Sequence, residues 1–181
     1  MKAPSPSRAL TRRNPRSCVR WPRARGGFNL IQVMLSMAIG SIVISAAIPK
    51  VKKAEAESRA TVVVSDLRTF AAAFEAYAQE RGGWPAETNA GALPTEMADR
   101  LGTTGWLRVS PMGGQYNWES NQVHGGVRYR AALSISSTEL SELVVNEDLL
   151  LAIDRIMDDG DLSTGNFRTG VNHDPLYIIQ Q

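Results

Sequence analysis

The sequence predicts an α+β chain in which a long N-terminal helix, apolar in its first half and amphipathic in its second, packs on a small antiparallel β-sheet domain. Three observations predict it. Residues 28–48 (FNLIQVMLSMAIGSIVISAAI) run for 21 positions without a formal charge. Val63, Leu67, Phe70, Phe74 and Tyr77 then recur at spacings of 4, 3, 4 and 3, the stripe of a helix with one buried face. Beyond Trp84 the texture turns to Gly, Pro, Thr and Asn, interrupted by runs rich in aromatic and β-branched residues.

Residues 1–27 form a basic leader. They hold Lys2, Arg8, Arg12, Arg13, Arg16, Arg20, Arg23 and Arg25 and no acid, so the formal net charge of +2 divides into +8 here and −6 beyond. Positive charge confined to a segment directly before an apolar stretch points to the cytoplasmic face of a membrane rather than to nucleic acid. The single cysteine, Cys18, also lies in the leader, which excludes an intrachain disulfide and any Cys-based site in the body.

Residues 28–81 form the long helix. Its first part, 28–48, would reach about 32 Å, enough to cross a bilayer. Asn29, Gln32, Ser36, Gly40, Ser41 and Ser45 interrupt its apolar surface, a composition that favours close approach of other helices. Pro49 kinks the helix without ending it, so that 28–81 make one rod of about 80 Å. Its second part, 49–81, carries the amphipathic stripe, with Gly82, Gly83 and Pro85 as the stop signal.

Residues 82–181 form the globular α+β domain. A short helix is expected around Thr95–Leu101, and two antiparallel strands over 105–119 and 127–135, broken by Gly113-Gly114 and Gly125-Gly126. Asn146 caps a helix through LLLAIDRIM, with Glu147 and Asp148 complementing its dipole. Residues 158–165 make a turn, and Asn166–Arg168 and Leu176–Gln180 close the sheet.

The segment RARGGFNLIQVMLSMAIG joins a basic flank, a Gly pair, a Phe and an apolar helix. It resembles the N-terminal signature of type IV pilins and of the pseudopilins of type II secretion. The resemblance implies a pilin-like fold, cleavage by a prepilin peptidase between Gly27 and Phe28, and methylation of the new Phe28 amine. A glycine before the cut lets a peptidase approach the backbone closely. Pro49 matches the family's helical proline, and YAQERGGWPA at 77–86 is similar to the end of a pseudopilin helix. The implied partners are other pilin or pseudopilin subunits, the peptidase and an inner-membrane assembly platform. The implied location is the bacterial inner membrane, single-pass, with the globular domain in the periplasm and then in a pilus or pseudopilus.

Two features depart from the family pattern. Where the family carries a Glu four residues beyond the methylated Phe, this chain has Gln32, which accepts a hydrogen bond but cannot neutralise a neighbour's amino terminus. Gln32 therefore argues for a minor subunit. The leader is also long and contains Pro4, Pro6, Pro15 and Pro22.

The remaining constellations carry less chemistry. Asp154, Asp158, Asp159 and Asp161 place four carboxylates in eight residues, an oxygen-rich turn of the kind calcium prefers, and Asp158, Asp159 and Asp161 are its candidate ligands. Set on Gly160, however, the EF-hand pattern fails, with Arg155, Met157 and Asn166 at ligand positions. A capped helix end and a Gly turn explain the cluster without a metal. His124 and His173 lack zinc-ligand spacing, and Ser134, Ser136 and Ser137 lack a nucleophile elbow, so no catalytic residue is expected. Trp84, Trp106 and Trp118 read as the core of a small domain.

The rival to a structural subunit is an exported binding domain released by signal peptidase before Ile48, or a membrane-anchored periplasmic module, with calcium as its possible ligand. The apolar run is long for a signal peptide, and Pro49 follows that cut directly.

Overall fold

The first element in the computed structural model, which describes residues 29–181, is helix α1 (Leu30–Arg81). Gly27, Phe28 and the basic leader with Cys18 lie outside the described residues. Asn29 stands as the N-cap, its Oδ1 accepting from the Ile31 N–H at 3.3 Å. The helix continues through Pro49 and ends at Arg81, after which the Gly82 N–H donates to the Ala78 carbonyl at 2.9 Å. The chain divides into two compact units, the first ending at Ile42 and the second running Val43–Gln181. In the first, Leu30, Ile31, Met34, Leu35, Met37, Ile39 and Ile42 are all exposed.

The second unit is built on the later turns of α1. Ala60, Val63, Val64, Leu67, Phe70, Ala71 and Phe74 are buried, at the three- and four-residue steps that a single helical face requires. Tyr77, the last residue of the expected stripe, is half-buried and packs against that core. The globular unit thus begins well before Gly82, because the helix supplies one side of its core.

The other side is a four-stranded antiparallel sheet of β1 (Gln115–His124), β2 (Val127–Ser136), β3 (Phe167–Thr169) and β4 (Pro175–Gln180), ordered β1-β2-β4-β3. Alternation along β1 turns Tyr116 and Trp118 into the core, opposite Ile135 and Leu133 of β2. Their rings meet the helix stripe. Phe74 stacks on Trp118 at 3.8 Å and 6°, while Phe70 meets Tyr116 edge-on at 4.9 Å and Trp106 at 5.0 Å. Such pairs contribute about 0.5–1.5 kcal/mol each beyond the apolar area they bury.

One strand differs from expectation. Residues 105–114 form turns, and β1 starts only at Gln115 and runs on to His124. Gly113 and Gly114 adopt φ of 80° and 66°, and a Cβ on Gly113 would lie 2.2 Å from the Glu142 carbonyl oxygen. The Gly pair therefore precedes the strand and does not interrupt it. Trp106 is still buried, its Nε1 donating to the Ala92 carbonyl at 2.9 Å. Gly125 and Gly126, at φ of 57° and 81°, form the two-residue hairpin turn between β1 and β2, where positive φ at both positions matches strand twist.

Two short helices complete the unit. Thr95–Met97 is a 3-10 turn leading into α2 (Ala98–Leu101). Helix α3 (Glu147–Met157) is capped by Asn146, whose side chain accepts from the Leu149 N–H at 3.3 Å, and it buries Leu149, Leu150, Ala152, Ile153 and Asp154.

Candidate functional site

The apolar half of α1 is long and apolar enough to cross a membrane, and none of its most apolar stretch is buried within the chain. Two of its serines are satisfied within the helix. The Ser36 hydroxyl donates to the Gln32 carbonyl and the Ser41 hydroxyl to the Met37 carbonyl, both at 2.8 Å, so each is satisfied one turn back. The side chains of Gln32 and Pro49 are exposed. A Cβ on Gly40 would meet nothing within 4 Å, so packing inside the chain does not demand a glycine there. What Gly40 leaves is a low point on the helix surface, the feature that lets a second helix approach closely in lipid.

The acidic turn after α3 consumes its own carboxylates. Asp159 accepts from the Asp161 N–H at 2.9 Å and the Thr164 hydroxyl at 2.7 Å. Asp161 accepts from the Ser163 N–H at 3.0 Å and its hydroxyl at 2.6 Å, and Asp158 accepts from the Asn166 N–H. These bonds hold the Asp159 carboxyl below its ordinary range, chiefly through Thr164, and that of Asp161 likewise through Ser163. Among the described residues no three carboxylate, imidazole or thiol groups converge on one point.

Asp154 is different. It is fully buried on α3, and neither of its carboxylate oxygens has a hydrogen-bond partner. Burial pushes its carboxyl above the ordinary range, the charges of Asp159 and Asp158 push it further, and the Gly160 N–H, outside hydrogen-bond geometry, offsets only part.

Two polar clusters escaped the sequence reading. Asp66 on α1 accepts both from Arg108, at 2.5 and 2.6 Å, and from the Tyr116 hydroxyl at 2.6 Å, tying helix, loop and sheet together. Burial raises the Tyr116 phenol above its ordinary value, reinforced by Asp66, and Asp66 also raises the Arg108 guanidinium. On the opposite face of the sheet, Glu119 and Ser134 are buried; Glu119 accepts from the Ser134 hydroxyl and is hydrogen-bonded to His124 Nε2. The hydroxyl points at a carboxylate rather than an imidazole, so the three do not form a nucleophile relay. His173 is exposed in the loop before β4, apart from this cluster.

No protein-family model and no curated protein matches the chain. Among solved structures, the major type IV pilin PilA1 from Clostridium difficile is similar to it at 16% identity and a TM-score of 0.49, covering 71% of this chain and 99% of that one. So distant a likeness decides nothing about function, which must be read from this chain's own residues.

Proposed function

We propose that the chain is a structural subunit of a type IV pilus or type II secretion pseudopilus, cleaved between Gly27 and Phe28 and polymerised through its N-terminal helix. The observation that carries this reading is one helix with two kinds of apolar surface. Leu30–Ile42 exposes its apolar side chains, while Ala60–Phe74 buries a stripe against the sheet. An exposed surface of that kind in water costs about 25 cal/mol per Å² and calls for a bilayer or for other helices. Polymerisation supplies both in turn. The +8 leader holds residues 1–27 in the cytoplasm, cleavage frees the Phe28 amine, and helix packing in the filament offsets extraction from lipid.

The intact mass of the mature protein purified from membranes tests this. A methylated Phe28 start is expected. A start at Ile48 would support a secreted domain, and a retained leader an anchored module; either would overturn the subunit reading. Gln32 in place of an acid favours a minor subunit, because it leaves a neighbour's amine uncompensated in low dielectric. Quantitative proteomics of sheared filaments should then find the chain far below the major subunit, and equal abundance would defeat that assignment.

A further inference from the structure

In the second unit a cleft of about 900 Å³ opens between the turns of α1 around Pro49–Arg59, the Pro111–Gly113 loop and the face of α3 that carries Asp148, Leu149, Ala152 and Arg155. Its cations are Lys52, Lys53, Arg59 and Arg155, and its acids Glu55, Glu57 and Asp148. They do not cancel in place. Arg59 and Glu55 pair with each other at 2.5 Å, whereas Lys52, Lys53 and Arg155 are exposed and have no ion pair among the described residues. The inner wall is apolar, formed by the buried Met112, Leu149 and Ala152.

The same unit carries exposed Val43, Ile44, Ile48 and Val51 on α1, from the residue next to those lysines back to about two and a half turns before them and on either side of Pro49. We infer that the cleft seats the phosphodiester headgroup of an anionic phospholipid, with Lys52, Lys53 and Arg155 around the phosphate and an acyl chain along Val43, Ile44 and Ile48. The inference rests on the reading that residues 28–48 cross a bilayer, which puts Pro49 at the headgroup level. Lysines there lay their stems along apolar surface and hold their charge at the interface. Attraction to an anionic leaflet gives each about fivefold in occupancy. The ligand is a lipid rather than a free anion because one side of the site is a row of exposed aliphatic side chains, which an acyl chain covers and a free anion leaves in water.

The test uses the full chain in nanodiscs of equimolar phosphatidylcholine and phosphatidylglycerol, with retained lipid counted by native mass spectrometry after release. Phosphatidylglycerol is expected to exceed phosphatidylcholine about 25-fold, the product of fivefold from each lysine, and the Lys52→Glu, Lys53→Glu double variant to return the ratio to parity. Unchanged tryptophan emission and melting of that variant exclude misfolding as the cause. Parity in the unsubstituted chain would overturn the inference, as would enrichment that survives the double substitution, displacement by inorganic phosphate, or a lipid-free dimer in the same preparation. A chain that leaves the nanodisc altogether defeats the membrane reading itself, while one that stays inserted at parity defeats the headgroup site alone.

Discussion

At Asp154 a carboxylate is buried on α3 with neither oxygen paired, close enough to Asp159 and Asp158 for both to oppose its ionisation. Its pKa is raised on folding, so the folded state holds the proton more tightly than the unfolded chain. Stability from this group is therefore full below the ordinary carboxylate range and is lost as pH rises through the raised value. Asp154→Asn keeps the shape without the charge. It should be more stable than the parent at pH 8 by about 1–3 kcal/mol and melt correspondingly higher, with the gap closing towards pH 3 in a pH series of thermal melts. Tyr116 offers the opposite case, because its hydroxyl has a partner. Tyr116→Phe should cost about 1 kcal/mol in urea titration, whereas Asp66→Ala, which strands a buried phenol and releases the exposed Arg108 to water, should cost about 2 kcal/mol. Neither site stands out in the sequence. Asp66 and Tyr116 are 50 positions apart, and only the packed sheet brings them together. Asp154 reads as one more acid of a solvated turn because of its acidic neighbours, although its place four residues after Leu150 and three before Met157 puts it on the apolar face of α3.

Local rules decided which elements could be read in advance. The stripe on α1 and the Asn146 cap of α3 depend on neighbours within one or two turns, and both stand in the structure as the spacing required. The start of β1 did not, because Gly113-Gly114 reads equally as a break within a strand or as its entrance. Only the approach of Glu142 selects the second. The stripe also sets where truncation hurts most. Phe74→Ala removes the ring stacked on Trp118 and should destabilise the unit by about 3–5 kcal/mol, with near-ultraviolet circular dichroism lost at a lower urea concentration. Phe74→Leu, which refills part of that volume, should cost distinctly less.

Across the whole molecule, the residues that fold the second unit and those proposed to assemble it are separated along α1. The first residue packed against the core is Ala56, and the first buried in it is Ala60. A chain beginning at Lys50 should accordingly be soluble without detergent and keep the stability of the full chain to within about 0.5 kcal/mol. Size-exclusion chromatography should show it as a monomer, while the full chain requires detergent to stay in solution. A marked loss of stability on truncation would mean that the exposed apolar turns take part in folding as well. The division was visible in the sequence as a change from an uncharged run to a 3.6-residue stripe. The position of the Gly40 and Gln32 surfaces against a partner was not, since a single chain contains only one side of such a contact.

The stacking of Phe74 on Trp118 has a mechanical consequence. Tension entering the second unit along α1 pulls the Val63–Phe74 stripe parallel to its own axis, past Trp106, Tyr116 and Trp118. Loaded in that direction, interdigitated rings must slide together rather than detach one at a time. The unit thus resists in shear, and the Asp66 clasp to Arg108 and Tyr116 lies within the strained zone as a cross-tie. A filament built of such subunits would transmit traction from helix to domain without the sheet being peeled from its edge.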